Sequence, residues 1–240
     1  MTDDNILGRY TGEDYSARNP TWDAEDSPWK AARVQAMLAA HRVPCGSVAE
    51  IGCGAGGVLA ELRRSLPDAA LYGFDIAPAL AGFWQAHAGA GIHFELGDFL
   101  AISRRHYDVI LLVDVIEHLA NPFEFLDRVR THADHFVFHV PLDLSAATVV
   151  RESPLLHVRH KVGHLHFFTK GMVLALLEDC GYTVLDWTYT GAAFTAPQRT
   201  WKTRLARAAR AVAYTLNKDL GVRMLGGETL LILARPAPRR

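Results

Sequence analysis

Glu50-Ile51-Gly52-Cys53-Gly54-Ala55-Gly56-Gly57 follows the apolar residues Val48 and Ala49, and its reading decides the fold. Glycines at 52, 54 and 56 allow a tight turn and a close backbone approach to a ligand, which side chains would block. The same letters satisfy G-x-G-x-x-G through Gly52, Gly54 and Gly57, so the glycines alone leave a dinucleotide site open. Glu50 breaks the tie. A pyrophosphate wants backbone N–H groups and no carboxylate nearby, whereas a ligand carrying an ammonium and a sulfonium is attracted by one. The segment therefore reads as a site for a sulfonium cofactor.

Outward from this loop the chain alternates strands and helices, as a doubly wound α/β sheet does. Residues 71–76 read as a second strand ending at Asp75, where a carboxylate accepts both ribose hydroxyls, a pairing that NAD sites share. A third strand, 92–96, runs into Gly97-Asp98-Phe99, with Asp98 placed to accept from an adenine amino group and Phe99 to lie on the ring. The fourth, 107–114, is a near-continuous apolar run, as expected of a strand buried on both faces. It ends in Asp114-Val115-Ile116-Glu117-His118-Leu119, at the carboxyl edge where open sheets place ligands. Helices are expected at 28–41, 58–66, 78–87, 122–132 and 170–180, the last closed by Gly181 as a left-handed cap. Strands at 135–140, 183–190 and 228–235 complete the pattern.

Taken in this order, Glu50-x-Gly-x-Gly-x-Gly, Asp75, Gly97-Asp98-Phe99 and Asp114-x-x-Glu117-His118-Leu119 resemble the class I S-adenosylmethionine-dependent methyltransferases. The likeness is to the ubiquinone-type branch, whose fourth strand is followed by Glu-His-Leu, and it runs from about residue 48 to 181. The resemblance implies S-adenosyl-L-methionine as cofactor, with Glu50, Gly52, Cys53, Gly54 and Gly56 at its methionine part, Asp75 at the ribose, and Asp98 with Phe99 at the adenine. Ile76, Asp114 and Val115 belong to the same implied cofactor set. It also implies a Rossmann-like seven-stranded sheet of order 3-2-1-4-5-7-6 with the last strand antiparallel. A single domain over 1–240 is expected, with an N-terminal arm and helix at 1–41 and a helical insertion at 192–227.

Half the residues are apolar and the formal net charge is −1, which argues against a chain built for bulk nucleic-acid binding. Cys45, Cys53 and Cys180 are odd in number and lack C-x-x-C spacing, so neither a disulfide framework nor a cysteine zinc site is expected. Thr2-Asp3-Asp4 has no basic flank or apolar stretch of a signal peptide, and a cytoplasmic location is expected. The arm carries Tyr10, Tyr15, Trp22 and Trp29 among acids and prolines; Lys30 reads either as solvated or as reaching the cofactor carboxylate.

The insertion holds a basic amphipathic helix near 200–216. Trp201, Leu205, Ala208, Val212 and Leu216 form one stripe, and Arg199, Lys202, Arg204, Arg207 and Arg210 spread over the rest. It reads as a helix packed through that stripe, or as a lid, acceptor contact or peripheral membrane contact. Methyl transfer from a sulfonium needs alignment and, for a hydroxyl or amine acceptor, a base. His118, His164 and His166 are best placed, with His118 and His166 taken as the catalytic pair. His139 reads as a satisfied core histidine, and His157 and His160 as loop residues beside Arg159. The expected acceptor is a small molecule or a sugar- or lipid-linked precursor, methylated at oxygen, with no metal and no nucleic acid. Two alternatives stay open. Asp114, Glu117, His118 and a later histidine resemble the metal-binding set of RNA 3′-terminal 2′-O-methyltransferases; the other alternative is a non-catalytic cofactor-binding module.

Overall fold

Seven segments rich in branched and aromatic residues extend as strands: β1 (Ser47–Ile51), β2 (Ala70–Asp75), β3 (Ile92–Leu96), β4 (Tyr107–Val113), β5 (Ala133–Pro141), β6 (Tyr182–Tyr189) and β7 (Thr229–Pro236). The structure, a computed structural model, describes Gly8, Gly12, residues 17–195 and residues 201–238, of residues 193, 195 and 201–206 the backbone alone. Tyr10, Tyr15 and Arg199 lie outside the described residues, and the side chains of Trp201, Lys202, Arg204 and Leu205 do as well. The strands form one sheet of order β3-β2-β1-β4-β5-β7-β6. β1 to β5 pair in parallel, and β7 runs antiparallel to both β5 and β6. The expected order and the reversed last strand are both present.

Helices α1 (Ser27–Ala40), α2 (Gly57–Ser65), α3 (Pro122–Val129), α4 (Ala146–Arg151), α5 (Ser153–Lys161), α6 (Lys170–Asp179) and α7 (Trp201–Leu225) connect these strands. Both faces of the sheet are covered. On one, Val34 and Leu38 of α1 pack with Leu59 and Leu62 of α2; on the other, Leu126 and Val129 of α3 pack with Val173 and Leu177 of α6. β4 is buried at every residue but Asp108, which explains its unbroken apolar run. Asn121 caps α3 by accepting from Glu124 N–H, Thr169 caps α6, and Gly181 takes the left-handed φ of 78° that closes α6.

Three expectations need correction. The stretch read as a helix at 78–87 is helical throughout but not one regular α-helix: a 3-10 helix (Pro78–Leu80), an α-helical turn (Ala81–Trp84) and a second 3-10 helix (Gln85–His87) follow one another, and only Leu80 among them is buried. His157, Arg159 and His160 lie on α5 and not in a loop; neither α4 nor α5 buries a residue, so no apolar stripe announces them. The stripe of α7 faces outward where it is described, with Val212 64% and Leu216 83% exposed. Arg210 Nη2 donates to Leu225 O at 3.3 Å and the Arg207 guanidinium sits 5.5 Å from the Phe194 ring, while Tyr214 and Val222 pack against the core. The helix also breaks at Asn217. Among the described residues no helix is long and apolar enough to cross a membrane.

Candidate active site

β1 ends in the glycine loop, where Gly52, Gly54 and Gly56 take φ of 71°, 51° and 80°. A Cβ at 52 would stand 2.7 Å from Val115 Cγ2, and one at 56 would stand 2.6 Å from Phe94 Cζ, so conformation and space both demand glycine there. Gly54 differs, since an added Cβ would meet nothing nearer than Trp22 O at 3.9 Å. Gly52 and Cys53 both donate backbone N–H to Phe74 O, at 2.8 and 3.1 Å, tying the loop to the end of β2. The Cys53 thiol is buried in the α1–α2 cluster, and burial next to Glu50 pushes its pKa up. Its side chain therefore serves the core.

Three carboxylates gather around this loop. Glu50 is 2% exposed, and its Oε2 has no hydrogen-bond partner among the described residues. Burial raises its pKa well above the usual range; Lys30 opposes this, and Asp75 and Asp114 add to it. Asp75 accepts from Gly54 N–H and Ala77 N–H, both at 3.0 Å. Ile76, between Asp75 and Ala77, is half-buried. Asp114 has a φ of 55°, and its carboxylate lies 2.9 Å from Lys30 Nζ and 2.7 Å from His139 Nδ1. Burial works to raise its pKa, yet His139 and Lys30 together hold it below the ordinary range. His139 Nε2 meets Thr229 Oγ1 at 3.0 Å, so this core histidine is satisfied as expected.

Lys30 is the counter-ion of this cluster, with a side chain 13% exposed, and is therefore not solvated. The approach to α1 crosses the same loop: Trp22 O lies near Gly54, and Ser27 touches Gly57. Arg18 and Asn19 donate to His160 O and Lys161 O at the end of α5, at 2.6 and 3.3 Å. Residues 18–27 thus bridge α5 and the glycine loop.

At the far end of the edge Asp98 is exposed and caps the turn Phe99–Ile102, accepting from Leu100 N–H at 3.0 Å. Phe99 corrects an expectation. Its ring is 2% exposed and stands edge-on to Phe74 at 5.0 Å, beside Tyr107, so it fills the core and offers no face to a ligand.

A second group lies beyond β4. Glu117 O accepts from Leu165 N–H and His166 N–H at 2.8 and 3.1 Å, pinning the 163–169 segment to the edge. Its side chain is fully buried, and burial, with Asp114 nearby, raises its pKa well above the usual range. His118 Nε2 and His164 Nε2 each lie 4.0 Å from Glu117 Oε1, and the two rings meet edge to face at 4.8 Å. His164 Nδ1 donates to Asp143 Oδ2 at 2.7 Å. Burial and His164 hold His118 down to a pKa of about 3. His166 is turned elsewhere, donating Nε2–H to Leu119 O at 2.9 Å. The structure thus joins His118 with His164 and not with His166. Asp143 was not anticipated; its place just after β5, at the ligand-bearing edge, is the signal for it. Of the four-residue metal set of the RNA alternative, Glu117, His118 and a later histidine, His164, come together, while Asp114 is engaged by Lys30 and His139.

A family model described as a methyltransferase domain matches residues 25–186. No curated protein matches the chain. Among solved structures the chain is similar to the protein bound to the Trm112 methyltransferase activator of Haloferax volcanii, at 18% identity and a TM-score of 0.64, over 98% of this chain and 99% of that one. It is similar to the plantazolicin methyltransferase BpumL, solved with a desmethylPZN analog and SAH, at 16% identity and a TM-score of 0.63, over 98% and 94%. A third likeness is to the mitomycin 7-O-methyltransferase MmcR, at 17% identity and a TM-score of 0.56, over 88% of this chain and 53% of that one. At such identities these likenesses establish a shared fold.

Proposed function

Because this chain belongs to the methyltransferase-domain family and is an S-adenosylmethionine-dependent methyltransferase, we propose that it methylates an oxygen of a small molecule or of a sugar- or lipid-linked acceptor. The charge balance at the glycine loop carries the cofactor part of this reading. Glu50, Asp75 and Asp114 set three carboxylates against Lys30 and the His139 ring, and one buried Glu50 oxygen is left without a hydrogen bond among the described residues. A ligand with an ammonium and a sulfonium supplies the missing positive charge, whereas a pyrophosphate adds to the excess. Glu50 and the open side of Gly54 take the methionine part, Asp75 the ribose hydroxyls and Asp98 the adenine amino group.

When bound, S-adenosylmethionine supplies an electrophilic methyl carbon on sulfur. The protein's own residues must then align the acceptor and receive its proton. His166 suits the second task, since donation from Nε2 leaves Nδ1 as a proton acceptor. His118, held near a pKa of 3, is a poor base and suits a contact role. The test is a methyl-labelled donor offered with hydroxylated metabolites, amines and sugar- or lipid-linked acceptors. Label is expected on oxygen; label confined to amines, or to RNA 3′ ends, would replace this reading.

Val212 and Leu216, before the break at Asn217, and Leu220 and Met224, after it, are all exposed apolar residues of α7. Exposed apolar side chains on a helix with basic residues fit a lipid-linked acceptor or a membrane surface. Val212→Glu combined with Leu216→Glu is expected to reduce vesicle association, or to raise the acceptor KM several-fold, and to leave affinity for S-adenosylhomocysteine unchanged. Lost cofactor affinity in a folded variant would instead place α7 in the cofactor site.

A further inference from the structure

Glu117, His118 and His164 converge at the carboxyl edge of the sheet, apart from the residues that hold the cofactor. Glu117 is fully buried, and neither carboxylate oxygen has a hydrogen-bond partner among the described residues. A buried carboxylate in that state is costly unless something positive meets it. Two imidazoles face it. His118 Nε2 and His164 Nε2 are each 4.0 Å from Glu117 Oε1, and one donor atom from each of the three residues lies within 4.8 Å of the others. A point equidistant from such donors is about 2.5 Å from each, a few tenths of an ångström beyond zinc–nitrogen and zinc–oxygen bonds of about 2.0–2.2 Å. Small side-chain rotations close that gap.

Each ring is already held by a second partner. His164 Nδ1 donates to Asp143 Oδ2 at 2.7 Å, and His118 is hydrogen-bonded to the Gly163 backbone. A carboxylate or a backbone group behind a histidine is what orients a metal ligand and sets its tautomer. We propose that Glu117, His118 and His164 bind one divalent transition-metal ion of the zinc class, with Asp143 as the positioning residue behind His164. Two imidazoles and one carboxylate suit such an ion better than magnesium or calcium, which favour oxygen donors. Three protein ligands leave a coordination position open, and the acceptor oxygen is the group to fill it. That last step rests on the proposed oxygen acceptor; the ion site itself does not. The site departs from the metal-free edge expected from the sequence.

The test uses the full chain, stripped by chelator, dialysed and titrated with Co²⁺ followed by visible absorption, and with Zn²⁺ followed by elemental analysis. About one ion per chain is expected, with cobalt d–d bands of a mixed nitrogen and oxygen site. Glu117→Gln and His164→Gln should each lose stoichiometric binding, while Asp143→Asn should weaken it about tenfold or more. S-Adenosylhomocysteine binding, measured on every variant, should be unchanged, which separates a lost ion site from a lost fold or cofactor site. Absence of uptake by the unaltered chain, or uptake unchanged in the Glu117→Gln/His164→Gln double variant, overturns the proposal. Should a variant lose S-adenosylhomocysteine binding, zinc-induced shifts of the His118 and His164 imidazole resonances in the unaltered chain decide; shifts confined to other histidines count against the site.

Discussion

Replacing Lys30 with methionine is expected to lower the unfolding free energy at pH 7 by about 3–5 kcal/mol, the range for stranding a partner of a buried ion pair. Its ammonium is the lysine charge among Glu50, Asp75 and Asp114, and methionine keeps the apolar stem while deleting that charge. The pH dependence follows from the shifts. Burial works to lower the Lys30 pKa, but Asp114 prevails and raises it, so its contribution is complete below the ordinary lysine range and fades as pH rises through the folded value. Asp114 is depressed, so its contribution holds above the ordinary carboxylate range and is lost as pH falls through the folded value, in strong acid. Around neutrality both are in place. In the variant Glu50 loses the cation that opposed its protonation, so the folded state takes up a proton more readily. The deficit should therefore narrow as pH falls from about 7 to 5. Urea unfolding at both pH values measures it, and a loss under about 1 kcal/mol at pH 7, typical of an exposed pair, would show Lys30 to be solvated after all.

This cluster also marks where reading the sequence stops. The Glu50 acid, the three glycines and Asp75 are legible because a strand, a tight turn and a strand end leave periodic apolar residues and obligatory glycines in the letters. The pairing of Lys30 with Asp114 is not, because it joins a helix start to a distant strand end and no local pattern encodes it. The turn of Phe99 toward Phe74 is hidden for a related reason: an aromatic beside an acid is equally suited to a ligand or to the core until its neighbours are known. On α7 the periodicity locates a stripe but not the side of the helix that faces the domain, and partners for Arg207 and Arg210 turned the stripe outward. His164 and His166 stand two residues apart in a segment without regular structure, so only the fold tells which of them meets Glu117.

Calorimetric titration of S-adenosylhomocysteine, S-adenosylmethionine and NAD into the chain and its Asp75→Ala variant tests the central claim most directly. Asp75 is held at the end of β2 by Gly54 and Ala77 N–H groups, and as a carboxylate it can accept from both ribose hydroxyls. Removing two charge-assisted hydrogen bonds should weaken the sulfur ligands by about 3 kcal/mol, roughly a hundredfold. The predicted result is binding of both sulfur ligands to the unaltered chain in preference to NAD, with that loss in Asp75→Ala. Tighter binding of NAD than of either sulfur ligand, or an Asp75→Ala variant with undiminished affinity for them, would contradict it.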